Sequence, residues 1–210
     1  MPNFAWVSLA EIETSAPAAL LSWLAEPGLL TARVRELCGV SMQFRMLGPL
    51  RTAPLPESLQ VRLAVADADC LLREIEFRHD AERIIFAQTI IPATTVATFP
   101  WLRELGEAPL GEALREADLP LERDPLEYRS LVSDHPLARA AATRSPPHEL
   151  PETANAAVSL WARRAVYRLA GQPILVQEVF LPALLRMQVS AHTVVSQTNQ
   201  PIHAERKVNR

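Results

Sequence analysis

Residues 160–182 read LWARRAVYRLAGQPILVQEVFLP. Two runs rich in β-branched, aromatic and aliphatic residues, 158–170 and 173–181, meet at Gly171-Gln172. A glycine between two such runs marks a hairpin. Alternate residues of a strand share one face, so Ile174, Val176, Glu178 and Phe180 point the same way. The same pattern recurs upstream. Residues 70–78 (CLLREIEFR) and 83–91 (RIIFAQTII) read as strands, joined through His79-Asp80-Ala81-Glu82 and closed by Pro92. In the first of these Leu71, Arg73, Ile75 and Phe77 share a face, and Glu74 and Glu76 take the other with Leu72. In the second, Gln88 lies with Ile84, Phe86 and Ile90.

Working outward, residues 16–26 form an amphipathic helix, with Thr14 or Ser15 as cap, Pro17 in its first turn and Pro27-Gly28 as its stop. A second short helix spans 29–38 and ends at Gly39. Residues 40–47 read as a strand, 48–57 as a proline-rich loop and 59–65 (LQVRLAV), by alternation, as another strand. Short helices are expected at 99–105 and 110–117 and a strand at 126–132. The stretch 133–156 has few large apolar groups and reads as a mobile loop. Hairpins dominate and helices bunch near the start and middle. The expectation is an α+β fold, a single antiparallel sheet with helices on one side. One domain over 1–189 is expected, followed by a polar C-terminal tail at 190–210.

Composition narrows the function. Among 210 residues, 49% are apolar, and 21 basic against 24 acidic residues give a net charge of −3. That balance argues against nucleic acid as partner, since such proteins carry a basic excess. Cys38 and Cys70 offer neither a disulfide framework nor metal spacing. The N-terminus lacks a secretory pattern, and no apolar run reaches the roughly 18 residues that span a bilayer. A cytoplasmic, reduced protein without stable membrane insertion is therefore expected. The five histidines, His79, His135, His148, His192 and His203, are scattered without metal-ligand spacing. There is no glycine-rich phosphate loop, and Ser41, Ser130 and Ser159 have no nucleophile-elbow context. Arg163 and Arg164 point to opposite faces of one strand, so one could reach a pocket, with surface placement the default for both.

The informative residues are charges on apolar strand faces. An unpaired buried charge costs several kcal/mol, so Arg73 needs an anion and Glu178 needs a donor. They pair with each other, or they serve a pocket in which Arg73 holds a ligand carboxylate and Glu178 meets a ligand hydroxyl. Gln88 taken alone reads as a satisfied core amide.

These stretches resemble the bacterial chorismate pyruvate-lyases of ubiquinone biosynthesis. The resemblance runs over roughly 17–182, through LLREI at 71–75, IIFAQTIIP at 84–92, LGEAPLGEAL at 105–114, ERDPLEY at 122–128 and, above all, 160–182. It implies an antiparallel sheet with helices on one side and a ligand site buried under flap segments; glycine and proline punctuation around Phe44 and Leu110 makes 29–48 and 105–116 the expected flaps. It also implies conversion of chorismate to 4-hydroxybenzoate and pyruvate with no cofactor, the first committed step toward ubiquinone. By the same resemblance Arg73 grips the substrate carboxylate and Glu178 contacts the ring hydroxyl. Leu110 binds ligand through its backbone, and Phe44 lines the site where the family can place a methionine. Gln88 stands among the substrate-binding positions where many members have arginine. Small-molecule substrate and products are the expected partners, and a monomer the expected state. A non-catalytic sensor of aromatic acids with the same fold is the alternative, and a scaffold protein a third reading.

Overall fold

The structure is a computed structural model that describes residues 5–143 and 160–187. Helices α1 (Leu9–Ile12), α2 (Ala18–Leu24) and α3 (Leu30–Cys38) lead into strands β1 (Met42–Met46) and β2 (Arg51–Pro54). Helix α4 (Glu57–Leu63) precedes the long hairpin β3 (Asp69–His79) and β4 (Glu82–Pro92). Then come α5 (Ala93–Thr98), α6 (Leu110–Glu116), β5 (Leu121–Arg123), β6 (Glu127–Leu131), α7 (Pro136–Thr143) and the second long hairpin, β7 (Leu160–Leu169) and β8 (Gln172–Phe180). A further helical stretch covers 182–187.

The strands form one antiparallel sheet in the order β1-β3-β4-β8-β7-β5. Strand β2 shares the outer edge of β3 with β1, and β6 shares the outer edge of β7 with β5. The two hairpins are the middle of the sheet because only they are long enough to be paired on both sides and apolar on both faces. Their turns are tight. Ala170 and Gly171 both have positive φ, the requirement of a two-residue turn whose twist suits antiparallel strands, so Leu169 pairs with Gln172. This turn falls one residue earlier than Gly171-Gln172.

The β3–β4 register contains an irregularity. Arg78 pairs with Arg83, but Phe77 pairs with Ile85, which leaves Ile84 as an extra residue. Beyond that bulge Arg73 stands opposite Thr89, and Glu74 opposite Gln88.

Helices α1 to α3, α5 and α6 cover one face of the sheet, as expected. There Ile12, Leu20, Trp23, Leu24 and Val34 close over Ile75, Phe77 and Ile85, and Val96, Leu110 and Leu114 over Leu71, Ile91 and Ile174. The reverse face also carries helices, and both lie in segments that read differently from sequence. Residues 59–65 are not a strand. Pro56 and Glu57 start α4, which buries Leu63 and packs Leu59 against Leu72, Ile90, Val166 and Leu175 while leaving Val61 exposed. The alternation was real, but a helix uses positions 59 and 63, four residues apart. Likewise 133–156 is not loop throughout. Helix α7 buries Leu137, Ala138 and Ala141 against Phe86, Ala162 and Val179. Its buried residues are small because it lies close to the sheet, and Arg83 donates to the Ala141 carbonyl at 2.9 Å. The remainder of that loop, 144–156, and the tail, 190–210, lie outside the described residues.

The helical assignment of α4 separates two neighbouring substitutions. Leu63→Ala is expected to lower unfolding free energy in urea by roughly 2–5 kcal/mol, and Val61→Lys to change it by no more than about 0.5 kcal/mol. Comparable losses for the two would mean that positions 61 and 63 share a buried strand face.

Candidate active site

The covered face is not filled at its centre. Crossing the sheet from Arg73, the facing positions are Thr89, Val176 and Ala165, and the next row holds Ala87. Small side chains there, under helices held up by larger neighbours, leave a small cavity open to solvent on one side. Strand parity delivers its walls. Phe44 comes from β1, Arg73, Ile75 and Phe77 from β3, Ala87 and Thr89 from β4, Val176 and Glu178 from β8, and Arg163 and Tyr167 from β7. Residues 28–31 and the start of α6, with Leu110, Gly111 and Leu114, close it from above. These two covers are pressed together. A Cβ on Gly111 would fall 2.4 Å from Leu29 Cδ2, so any larger residue there would have to displace the Leu29 side chain, and Arg35 of α3 pairs with Glu112 of α6 at 3.1 Å.

Arg73 is 2% exposed. Its Nη2 donates to the carbonyls of Gly106 at 2.9 Å and Ala108 at 2.7 Å, in the loop that leads into α6. Its Nε has no hydrogen-bond partner, and among the described residues no carboxylate pairs with it. The Phe44 ring lies 5.5 Å from the guanidinium. Burial pushes the Arg73 pKa down to about 10, still far above neutrality, so the cation remains and lacks a counter-ion.

Glu178 does not pair with Arg73. It accepts from Arg163 Nε at 2.5 Å. The Nη1 of the same guanidinium donates to the carbonyls of Trp23 at 3.3 Å, Leu24 at 3.2 Å and Glu26 at 2.9 Å. Arg163 is itself 2% exposed, which corrects its expected surface placement. Arg164, on the reverse face, is largely covered as well. It pairs with Glu127 at 2.8 Å under the Trp6 ring. Tyr167 was not singled out from sequence. Burial and the charge of Glu178 raise its pKa, which keeps the phenol protonated.

Four of the five sequence-derived positions, Arg73, Glu178, Phe44 and Leu110, therefore meet in one cavity. Gln88 does not. The bulge at Ile84 puts it on the reverse face, where it donates to Glu74 at 3.0 Å and accepts from Gln177 at 3.1 Å. The lining carries two cations, Arg73 and Arg163, against one carboxylate, Glu178. That excess positive charge, set among Phe44, Phe77 and Tyr167, suits a flat aromatic or cyclic molecule with a carboxylate. Among the described residues no cluster of His, Cys, Asp and Glu could hold a metal, and no helix is long and apolar enough to cross a membrane.

The family model for chorismate lyase matches residues 1–190 of this chain. A probable chorismate pyruvate-lyase of Thiobacillus denitrificans is 36% identical over 173 residues, covering 81% of this chain and 86% of its own. One from Ralstonia nicotianae is 37% identical, with 77% and 80% covered. One from Methylococcus capsulatus is 32% identical, with 81% and 99% covered. Among solved structures, PhnF from Mycobacterium smegmatis superposes with a TM-score of 0.56 at 18% identity, over 76% of this chain and 66% of its own. The effector domain of PhnF gives 0.53 at 18% identity, with 74% and 90% covered. At such identity the likeness is one of fold.

The placement of Gln88 has a direct check. Gln88→Arg is expected to leave the affinity for 4-hydroxybenzoate, read by calorimetry, unchanged, because the new cation would sit beside Glu74 behind the sheet. A clear gain in affinity would show that position 88 reaches the ligand.

Proposed function

The chain belongs to the chorismate lyase family of carbon–oxygen lyases, and from that premise we propose that it converts chorismate to 4-hydroxybenzoate and pyruvate in the central cavity. The observation that carries the reading is Arg73, a buried cation in an aromatic-walled cavity, with no counter-ion among the described residues and an Nε that has no hydrogen-bond partner. Only a strong reason keeps an uncompensated charge out of water, and a carboxylate-bearing ligand supplies one.

Chorismate carries a ring carboxylate, a ring hydroxyl and an enolpyruvyl ether. In the elimination, the carbon bearing the hydroxyl loses its proton and the ether C–O bond at the neighbouring carbon breaks. The electron pair of the C–H bond completes the aromatic ring. The departing enolpyruvate takes up a proton and becomes pyruvate, so all atoms are accounted for without oxidant or reductant. Aromatisation drives the step, and the protein's task is to hold the substrate in reactive geometry away from water. In this reading Arg73 takes the ring carboxylate through Nε, a charge-assisted hydrogen bond. Glu178 receives the ring hydroxyl or the proton. Phe44, Phe77 and the covers at 28–31 and 110–114 exclude solvent. The product so placed has its carboxylate on a buried cation and its ring under two covers, so release requires a cover to lift. The loop carrying Gly106 and Ala108 is tied to Arg73 and runs directly into α6, which makes that cover sensitive to whatever the cation binds. Supply of 4-hydroxybenzoate for ubiquinone synthesis is the place in metabolism that this activity would fill.

Pure protein mixed with chorismate is expected to release 4-hydroxybenzoate and pyruvate in equal amounts, undiminished by EDTA. Arg73→Ala should weaken 4-hydroxybenzoate binding by roughly ten- to a hundredfold, the worth of a hydrogen bond to a charged group. Absence of product from the unaltered chain, in the presence of tight 4-hydroxybenzoate binding, would favour a sensor over an enzyme. Hydrogen exchange should slow at 28–31 and at 105–114 when 4-hydroxybenzoate is added, and unchanged protection in both segments would rule them out as covers.

A further inference from the structure

Arg163 is not a simple counter-ion. A helix leaves its last carbonyls without intrahelical partners, and at and just past the end of α2 the carbonyls of Trp23, Leu24 and Glu26 converge on Arg163 Nη1, that of Trp23 also accepting from the Glu26 amide. The Nε of the same side chain holds Glu178 Oε2. A guanidinium is planar and rigid, so these two sets of partners are fixed relative to each other. Two residues past Glu26 the chain becomes the cover, with Gly28, Leu29, Leu30 and Thr31 all lining the cavity. The turn between is itself braced. The Glu26 carboxylate accepts from the Gly28 amide at 2.8 Å and from Arg33 at 3.2 Å.

We propose that Arg163 is the positioning residue of this site, setting the Glu178 carboxylate and the 25–31 cover with a single rigid group. Through it, the acid is aligned only when the end of α2 is seated, and the cover is seated only when the acid holds the guanidinium. This assignment rests on the lyase reading for the role of Glu178. The coupling itself rests on the contacts alone.

The test compares the unaltered chain with Arg163→Lys, Arg163→Met, Glu178→Ala and the double change Arg163→Met/Glu178→Ala. Turnover of chorismate gives kcat and KM, and hydrogen exchange of the free proteins reports on amides 25–31. Lysine keeps the charge but cannot span both sets of partners. Arg163→Lys is expected to lower kcat about tenfold and Arg163→Met on the order of a hundredfold, the scale of a misplaced catalytic group, with KM moving far less. Glu178→Ala should speed exchange at 25–31, a segment whose carbonyls it reaches through Arg163, and should have no further effect there once Arg163 is Met. If Arg163→Met alone fails to fold, the double change leaves no charge stranded, and together with Arg163→Lys it supplies the comparison. Unaltered kcat in Arg163→Lys, or exchange at 25–31 that ignores Glu178→Ala, would overturn the proposal. A chain that never turns over chorismate would overturn the lyase reading, and the exchange measurements would still decide the coupling.

Discussion

The guanidinium of Arg163 sits where the sheet, the first helices and the cavity meet. It is buried, and a charge taken from water must be matched nearly completely by its new surroundings. Here the match combines one carboxylate from β8 with three carbonyls from the end of α2. The hairpin register makes this possible. A two-residue turn at Ala170-Gly171 fixes Arg163 opposite Glu178, and the α2 end comes down on that pair to meet Nη1. The docking of the N-terminal helices over the sheet, and with it the roof of the cavity, follows from where this one side chain must find its partners.

Arg73 is treated differently by the same fold. It receives two loop carbonyls and an aromatic ring but no acid. Two buried cations on one face thus have unequal company, one compensated and one left in deficit. A chamber with one unmet positive charge favours anionic ligands before any shape criterion applies. On the proposed lyase reading the ligand's carboxylate lies at β3, and its hydroxyl end points along the sheet toward β8 and Glu178. The polar groups on the reverse face are arranged for a different purpose. Gln88 and Gln177 hydrogen-bond in series with Glu74, and Arg164 pairs with Glu127.

Much of this was legible in the sequence. Alternation identified both long hairpins and put Arg73 and Glu178 on apolar faces, and a charge so placed is conspicuous because the fold must answer for it. Phe44 and Leu110 were reached through resemblance, since nothing in their immediate sequence marks them. Arg163 was in principle available. Once the turn is set at 170–171, counting back pairs 163 with 178, but placing the turn one residue later hides that pairing. For Gln88 the reading from its own strand, a satisfied core amide, is what the structure shows, while the ligand-binding place given by resemblance fails because the bulge at Ile84 carries no composition signal of its own. Helix α4 misled because Leu59, Val61, Leu63 and Val65 satisfy a period of two, and only the exposure of Val61 reveals the helical solution. Helix α7 was masked by its alanines, which bury little area each and look like linker until a flat sheet lies beneath them.

The extra residue in β4 acts on the sheet as an inserted base acts on a reading frame. On the turn side of Ile84 the hairpin is paired in one phase, and on the far side in another. Everything from Ile85 to Pro92, including Ala87 and Thr89 on the cavity floor, owes its facing to that single insertion. A lineage that lost or gained one residue near the tip of this hairpin would exchange the two faces of β4 in one event. Gln88 would then face the chamber, and Ala87 and Thr89 the back, with no substitution in the site itself. Comparison of relatives by alignment column alone would miss such a change, because the altered chemistry arises from phase rather than from identity.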